Sequence, residues 1–390
     1  MKIVIAIDSF KGCASSSELS SAIKEGILKV YPNPEIIICP IADGGEGTVE
    51  ALTSLDNSKT ILASCINPLG ETISAKYLIL ENKTAVIEMS SASGLELIPA
   101  DDRNPNIASS YGTGELIKDA ISKGSREFII GLGGSATNDA GLGMLRALGF
   151  QFFDDLDQEV FLTRDMNRIT RIDQTNKIEE LDYCEFLVAC DVNNPLFGLN
   201  GASYIYGAQK GASPVDIVQL DTKLEYFAKI TIENGFKESA NIPGAGAAGG
   251  MGFAFISFLN STLQPGIQLI LEQVQLKEKI KNANFLITGE GKIDQQSSMG
   301  KVIDGIGALC KAHNIPCIAL TGNSKESNTD VHRKGVSCVF SILNSPMSLE
   351  KAMDKQTALN SMKQKSEQVF RLISSLHQTN LSNQKVRINE

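Results

Sequence analysis

Thirteen residues, Gly131 to Gly143, hold five glycines together with Ser135, Thr137, Asn138 and Asp139. They follow Glu127-Phe128-Ile129-Ile130, a short apolar run that predicts a buried strand. The apolar residues 142–148 after them predict a helix. Glycine lets the backbone take positive φ and lets a ligand approach the main chain closely. A strand, a glycine-rich turn and a helix therefore aim free N–H groups beyond the strand end, an arrangement that suits an oxyanion.

The same grammar opens the chain. Residues 2–7 read as a continuous apolar strand, and Asp8-Ser9-Phe10-Lys11-Gly12 as the polar turn after it. A helix follows, with Ser15 and Glu18 in a capping-box pattern and Leu19, Ala22, Ile23, Ile27 and Val30 on one face. Pro32 and Pro34 end it, and residues 35–39 predict a second strand. Two strands joined by a helical crossover imply a parallel sheet. Near the other end, residues 285–288, 316–320 and 338–343 read as strands, covered by helices at about 301–313 and 349–376. The middle differs. Residues 60–67 and 73–80 flank Pro68-Leu69-Gly70 as a hairpin, and residues 85–90 add a strand. The expected organisation is one α/β domain built from residues 1–62 and 283–390, with a mixed α+β domain inserted at 63–282. The polar residues 378–390 predict a frayed end.

The 390 residues carry a net charge of −9 and no dense Lys/Arg run, which argues against nucleic acid or an acidic membrane as partner. No stretch approaches 18 apolar residues, so no membrane span is expected. The N-terminus, with one Lys before a short apolar run, reads as a strand and not a signal peptide. Eight scattered cysteines form no CxxC and predict free thiols in a reducing, cytoplasmic setting. Three histidines at unrelated positions give no support to a hydrolytic triad or a His-based metal site.

In open parallel sheets, ligands sit at the carboxyl ends of the strands. Polar or glycine-rich loops occupy such positions at residues 8–12, 43–47, 131–143, 191–198 and 288–294, and an uncharged one lies at 244–252. Each has a plainer reading. Asp43 and Asp294 could cap helices, Lys11 and Lys292 could be solvated, and residues 244–252 could pack a helix against a strand. Four of the loops nevertheless set a carboxylate beside several glycines, which caps alone do not require. Phosphoryl transfer fits this set. It needs backbone and cationic groups for phosphates, carboxylates for Mg2+, and a base for the attacking hydroxyl. The chain has no GxxxxGK[ST], no protein-kinase HRD or DFG set and no GxGxxG after its first strand.

Together the loops resemble the bacterial glycerate kinases of the type I family. The matching pieces are Asp8-Ser9-Phe10-Lys11-Gly12, Ala42-Asp43-Gly44-Gly45-Glu46-Gly47, Gly133-Gly134-Ser135-Ala136-Thr137-Asn138-Asp139, Ala189-Cys190-Asp191-Val192-Asn193-Asn194-Pro195-Leu196, residues 244–252 and Thr288-Gly289-Glu290-Gly291-Lys292-Ile293-Asp294, in family order. Ala140 departs from the pattern, standing where many members carry glycine. The resemblance implies ATP-dependent phosphorylation of D-glycerate, with Mg2+, to the 2-phospho product. It also implies a flavodoxin-like or Rossmann-like parallel-sheet domain with an inserted, restriction-enzyme-like domain, and an active site in the cleft between them. It allows a homodimer. A kinase for another hydroxy acid or sugar acid is the first alternative, and a non-catalytic nucleotide- or metabolite-binding regulator the second.

Within this reading Asp191 is the expected general base, ionised at its ordinary pKa. Lys11 is the expected phosphate contact, and Asp8 stands with them in the catalytic group. Asp8, Asp43 and Asp294 compete for Mg2+. Gly133, Gly134, Ser135, Asn138 and Asp139 form one expected cofactor-binding loop, and Gly289, Gly291 and Lys292 another.

Overall fold

The computed structural model describes residues 1–45, 47–53, 55, 57–293, 301–324 and 329–388. It divides into two compact units, Met1–Asp43 with Ile270–Glu390, and Gly44–Leu269.

The first unit is built on a five-stranded parallel sheet. Its strands lie in the spatial order Cys338–Ser341, Cys317–Thr321, Phe285–Thr288, Lys2–Ile5, Glu35–Ile38. Numbered by their order within the unit, this is 2-1-3-4-5 read from the other edge. That is a doubly wound order, which reverses between its first and third strands. Ile3, Ile5, Ile7, Leu19, Ile23, Ile27, Ile287, Leu320, Met362 and Phe370 share one buried cluster. The strands are apolar on both faces because helices cover a parallel sheet on both sides.

The helix Ser16–Leu28 starts with the expected capping box of Ser15 and Glu18. Ser16 Oγ also donates to the Ile7 carbonyl at 2.6 Å and accepts from Ile41 N–H at 3.2 Å. The first helical turn thereby ties down the carboxyl ends of the first two strands. Its partner is Lys355–Ile388; a Cβ at Gly26 would lie 2.3 Å from the Lys363 carbonyl, so the two helices cross in close contact there. The single helix expected at 349–376 is two, Leu349–Met353 and Lys355–Ile388. Asp354 breaks it by leaving the helical backbone and capping Thr357 through both N–H and Oγ.

The second unit carries a six-stranded sheet in the order Thr262–Gln264, Glu185–Ala189, Glu127–Gly131, Ala85–Glu88, Thr72–Ile79, Lys59–Ile66. The first four strands are parallel and the last two antiparallel, so the sheet is mixed. The hairpin pairs from Lys59↔Ile79 to Ile66↔Thr72. The unit therefore begins near Gly44 and not at residue 63: the whole hairpin belongs to this sheet, and Glu88 accepts the Val49 N–H of the preceding helix at 2.7 Å. At the far end, Lys2 binds Asn284 and the Lys281 carbonyl, which draws residues before 283 into the first unit.

No helix among the described residues is long and apolar enough to cross a membrane. All eight cysteines are free.

Candidate functional site

In the first unit, Ile5 pairs with Ile287 across adjacent parallel strands. Three residues further along each strand stand Asp8 and Glu290, and Asp8 N–H donates to the Gly289 carbonyl at 3.0 Å. The two carboxylates therefore share one rung at the strand-order reversal, where doubly wound sheets bind ligands. Asp8 is buried, and burial with the nearby Asp43 charge pushes its carboxyl up to about 7; hydrogen bonds from Ser9 and the Lys11 charge pull the other way. Glu290 is pushed up to about 8 by burial and then by the charges of Asp8, Asp304 and Asp43, against Lys11. Its Oε1 is buried with no hydrogen-bond partner among the described residues.

Lys11 reaches Asp43 Oδ2 at 2.8 Å in a half-exposed ion pair. Gly289 is there for packing: a Cβ would lie 1.9 Å from the Leu320 carbonyl. Gly291 accepts the Asn323 N–H, and Lys292 is exposed in a short strand paired with Asn323–Ser324. Asp294 and Glu46 lie outside the described residues.

These carboxylates are hard oxygen donors of the kind Mg2+ takes. Among the described residues, no three His, Cys, Asp or Glu side chains are grouped to hold a metal ion. Mg2+ does not need such a cage, since it keeps several waters and is held by one or two carboxylates plus substrate phosphates. The crowded carboxylates and the orphaned Glu290 oxygen fit a divalent cation, whose charge would offset their repulsion.

In the second unit the loop at 131–143 is braced from within. Asp139 is buried. Its Oδ2 accepts from Ser110 N–H at 2.9 Å, Ser110 Oγ at 2.7 Å and Gly143 N–H at 3.1 Å, and its Oδ1 accepts from Gly141 N–H at 3.2 Å. This carboxylate, expected in the cofactor-binding loop, ties the start of the helix Leu142–Ala147 to residue 110. Asn138 is likewise buried, donating from Nδ2 to Ser203 Oγ at 3.0 Å. Ala140 sits at φ +48°, which explains why glycine would be at home there.

The loop at 244–252 packs against this one. Ala140 N–H donates to the Gly249 carbonyl, and a Cβ on Gly249 would lie 1.9 Å from the Thr137 carbonyl. Gly246 N–H donates to the Asn194 carbonyl, which brings the loop after Asp191 into the same assembly. Asp191 Oδ1 accepts the Gly266 N–H at 3.1 Å, so this carboxylate holds a helix start. Gly133 is half-buried, Gly134 exposed and Ser135 nearly buried.

Two residues that sequence reasoning did not single out enter here. Glu290 lay inside a quoted motif, between two glycines at a strand end. Lys210 belonged to no motif. It is fully buried beneath the loop and donates to Ser135 Oγ at 2.8 Å and to the Thr137 carbonyl at 2.7 Å. Burial pulls its ammonium down to about 7, partly opposed by the Asp139 charge. The only local sign is Gly211 after it, at φ +92° with the Arg103 carbonyl 2.1 Å from where a Cβ would be.

The class is thus an α/β enzyme with crowded carboxylates at a doubly wound switch point and a glycine-rich strand–turn–helix on a second sheet. Residues 3–374 match the profile of the Glycerate kinase family. The Glycerate 2-kinase of Escherichia coli (strain K12) is 44% identical over 354 residues, covering 90% of this chain and 93% of its own. The Glycerate kinase of Halalkalibacterium halodurans is 41% identical, with 92% and 94% covered. A solved structure from Salmonella typhimurium LT2 matches with a TM-score of 0.88 at 36% identity, covering 97% of this chain and 99% of that one. This chain belongs to the glycerate kinase family and is a kinase.

Proposed function

We propose that the chain transfers the γ-phosphoryl group of ATP to D-glycerate, giving 2-phospho-D-glycerate and ADP. The observation that carries this reading is the Asp8–Glu290 rung at the switch point, crowded by Asp43 and facing the Lys11 charge. A buried and a half-buried carboxylate at a ligand-binding strand end are costly to a fold unless a cation uses them. The 2-position follows the name of the E. coli relative.

In the reaction the C2 hydroxyl oxygen forms a bond to the γ-phosphorus while the bond to the β,γ-bridging oxygen breaks. One or two of Asp8, Glu290 and Asp43 would hold Mg2+, which when bound screens the phosphate charge. Asp294, from its place in the motif, is a further candidate ligand. Lys11 contributes a mobile point charge for a phosphate oxygen. Asp191 takes the hydroxyl proton. Gly133, Gly134, Ser135 and the turn they form receive an anionic ligand group, and Gly289, Gly291 and Lys292 line the other loop. Asp139 shapes the first loop from inside it. The protein is expected to act in the cytoplasm.

Enolase acts on 2-phosphoglycerate directly, whereas 3-phosphoglycerate must first pass through a mutase. Coupling the reaction to enolase without mutase should give full signal. A strict mutase requirement overturns the 2-phospho assignment, and no product from D-glycerate by either route overturns the reading as a whole.

A further inference from the structure

We propose that Lys210 is a positioning residue that turns Ser135 into an oxyanion donor and supplies the positive charge of that subsite. The inference rests on the kinase reading above, because it assigns the anion to one of that reaction's two reactants.

An ammonium has donors and no acceptor. While Lys210 is protonated, Ser135 Oγ must therefore accept in their 2.8 Å contact. That leaves the Ser135 hydroxyl proton to be donated elsewhere, and no acceptor for it stands among the described residues. Lys210 Nζ has three protons; two go to Ser135 Oγ and the Thr137 carbonyl, and the third has no acceptor among the described residues. Thr137 Oγ1, one turn of the loop away, is also buried without a partner.

These unspent donors stand where only 2% of Lys210 and 7% of Ser135 is exposed. Buried donors are expensive to leave unpaired, and a buried lysine more so. A carboxylate or phosphate oxygen at the Ser135 hydroxyl supplies the missing acceptor and the missing negative charge together.

One charged group bears on Lys210 from the elements around it. Asp139, under the same loop, interacts favourably with its charge. Arg103 packs its backbone on Gly211, and its guanidinium Nε is buried with no partner among the described residues. Burial already draws the Lys210 ammonium down to about 7, so an anion that binds against it must also hold it protonated.

The carboxylate of D-glycerate and a phosphate of ATP both offer this chemistry, and binding measurements separate them. Calorimetric titration of D-glycerate and of ATP into wild type, Ser135→Ala and Lys210→Met at pH 6.5 and 8.5 is the experiment. One of the two ligands is expected to lose roughly 10- to 100-fold in affinity in both variants at pH 6.5, the scale of a charge-assisted hydrogen bond. That same ligand should bind wild type more weakly at pH 8.5 than at pH 6.5, and Lys210→Met should lose this pH dependence. Ser135→Ala leaves the lysine in place and keeps the test decisive if Lys210→Met does not fold. Wild type that turns over D-glycerate while both ligands bind folded Ser135→Ala as tightly as wild type overturns the inference alone. Wild type that releases no ADP with D-glycerate overturns the kinase reading instead.

Discussion

Asp8 and Glu290 lie on the same rung of neighbouring parallel strands, three residues beyond the paired Ile5 and Ile287, and burial, then the Asp8 charge, pushes the Glu290 carboxyl upward. The sheet order reverses between these two strands. Crowding like charges at that point disfavours the fold and prepares a place for a cation. Stability and function pull against each other here.

Asp8→Asn removes one charge with almost no change in shape. Its Oδ1 can still accept from Ser9 N–H, which lies 2.7 Å away in the wild type. Turnover should fall by at least about 100-fold, as for the loss of a group acting on the reacting phosphate. The melting temperature should hold or rise. Added Mg2+ should raise the melting temperature of wild type and leave that of the variant nearly unchanged. Calorimetric melting with and without Mg2+, beside steady-state rates, checks all three outcomes.

Asp191→Asn keeps an oxygen for the Gly266 N–H. The fold should therefore survive, with a melting temperature close to wild type. As the proton acceptor, the residue should cost about 100-fold in turnover when neutralised, while ATP binding persists. Rates and nucleotide titration on the same preparation separate these effects. Near-normal turnover would leave Asp191 as a helix cap only.

Asp139→Asn should behave in the opposite way. In wild type one oxygen accepts from Ser110 N–H, Ser110 Oγ and Gly143 N–H. An amide cannot accept at both oxygens, so either its NH2 group faces these donors or Gly141 N–H loses its partner. The variant should lose roughly 3 kcal/mol of stability or more, from several buried donors left unmet. Denaturant unfolding reads this directly, and any loss of activity should follow the loss of folded protein.

Lys210 gives the fold a pH signature. Burial draws its pKa from the ordinary 10.5 to about 7. Between those values the unfolded chain binds a proton there that the folded chain does not. Wild-type stability should therefore gain, from this group, up to about 1.4 kcal/mol per pH unit as pH rises from 7 towards 10.5. The full cost of the buried charge is present below pH 7. Lys210→Met lacks this slope, so its stability relative to wild type should fall as pH rises. Urea unfolding at pH 7 and pH 9.5 measures the difference.

The strand ends were legible because their signals are local. An apolar run followed by Asp8, or by Gly289-Glu290-Gly291, states both the strand and its polar end. That strands at the two ends of the chain join one parallel sheet was also legible; their order, 2-1-3-4-5, came from the structure. What was not legible depends on which way a side chain turns once the loops pack. Asp139 and Asp191 read as ligand-facing, and their hydrogen bonds to Ser110 and to Gly266 exist only once the loops pack. Lys210, in Ala208-Gln209-Lys210-Gly211, has the composition of a solvated turn. Its burial is set by the loop at 131–143, some seventy residues away. The first domain boundary was misplaced for a similar reason. The hairpin itself was legible; that the helix Thr48–Thr53 before it packs with the second sheet, through Val49 N–H and Glu88, was not.

The most direct measurement is ADP release by the purified chain with Mg-ATP, in the presence and absence of D-glycerate, run beside Asp8→Asn. The account predicts ADP release that requires D-glycerate and is lost in the folded variant. ADP release indifferent to D-glycerate, or Asp8→Asn turning over like wild type, would contradict it.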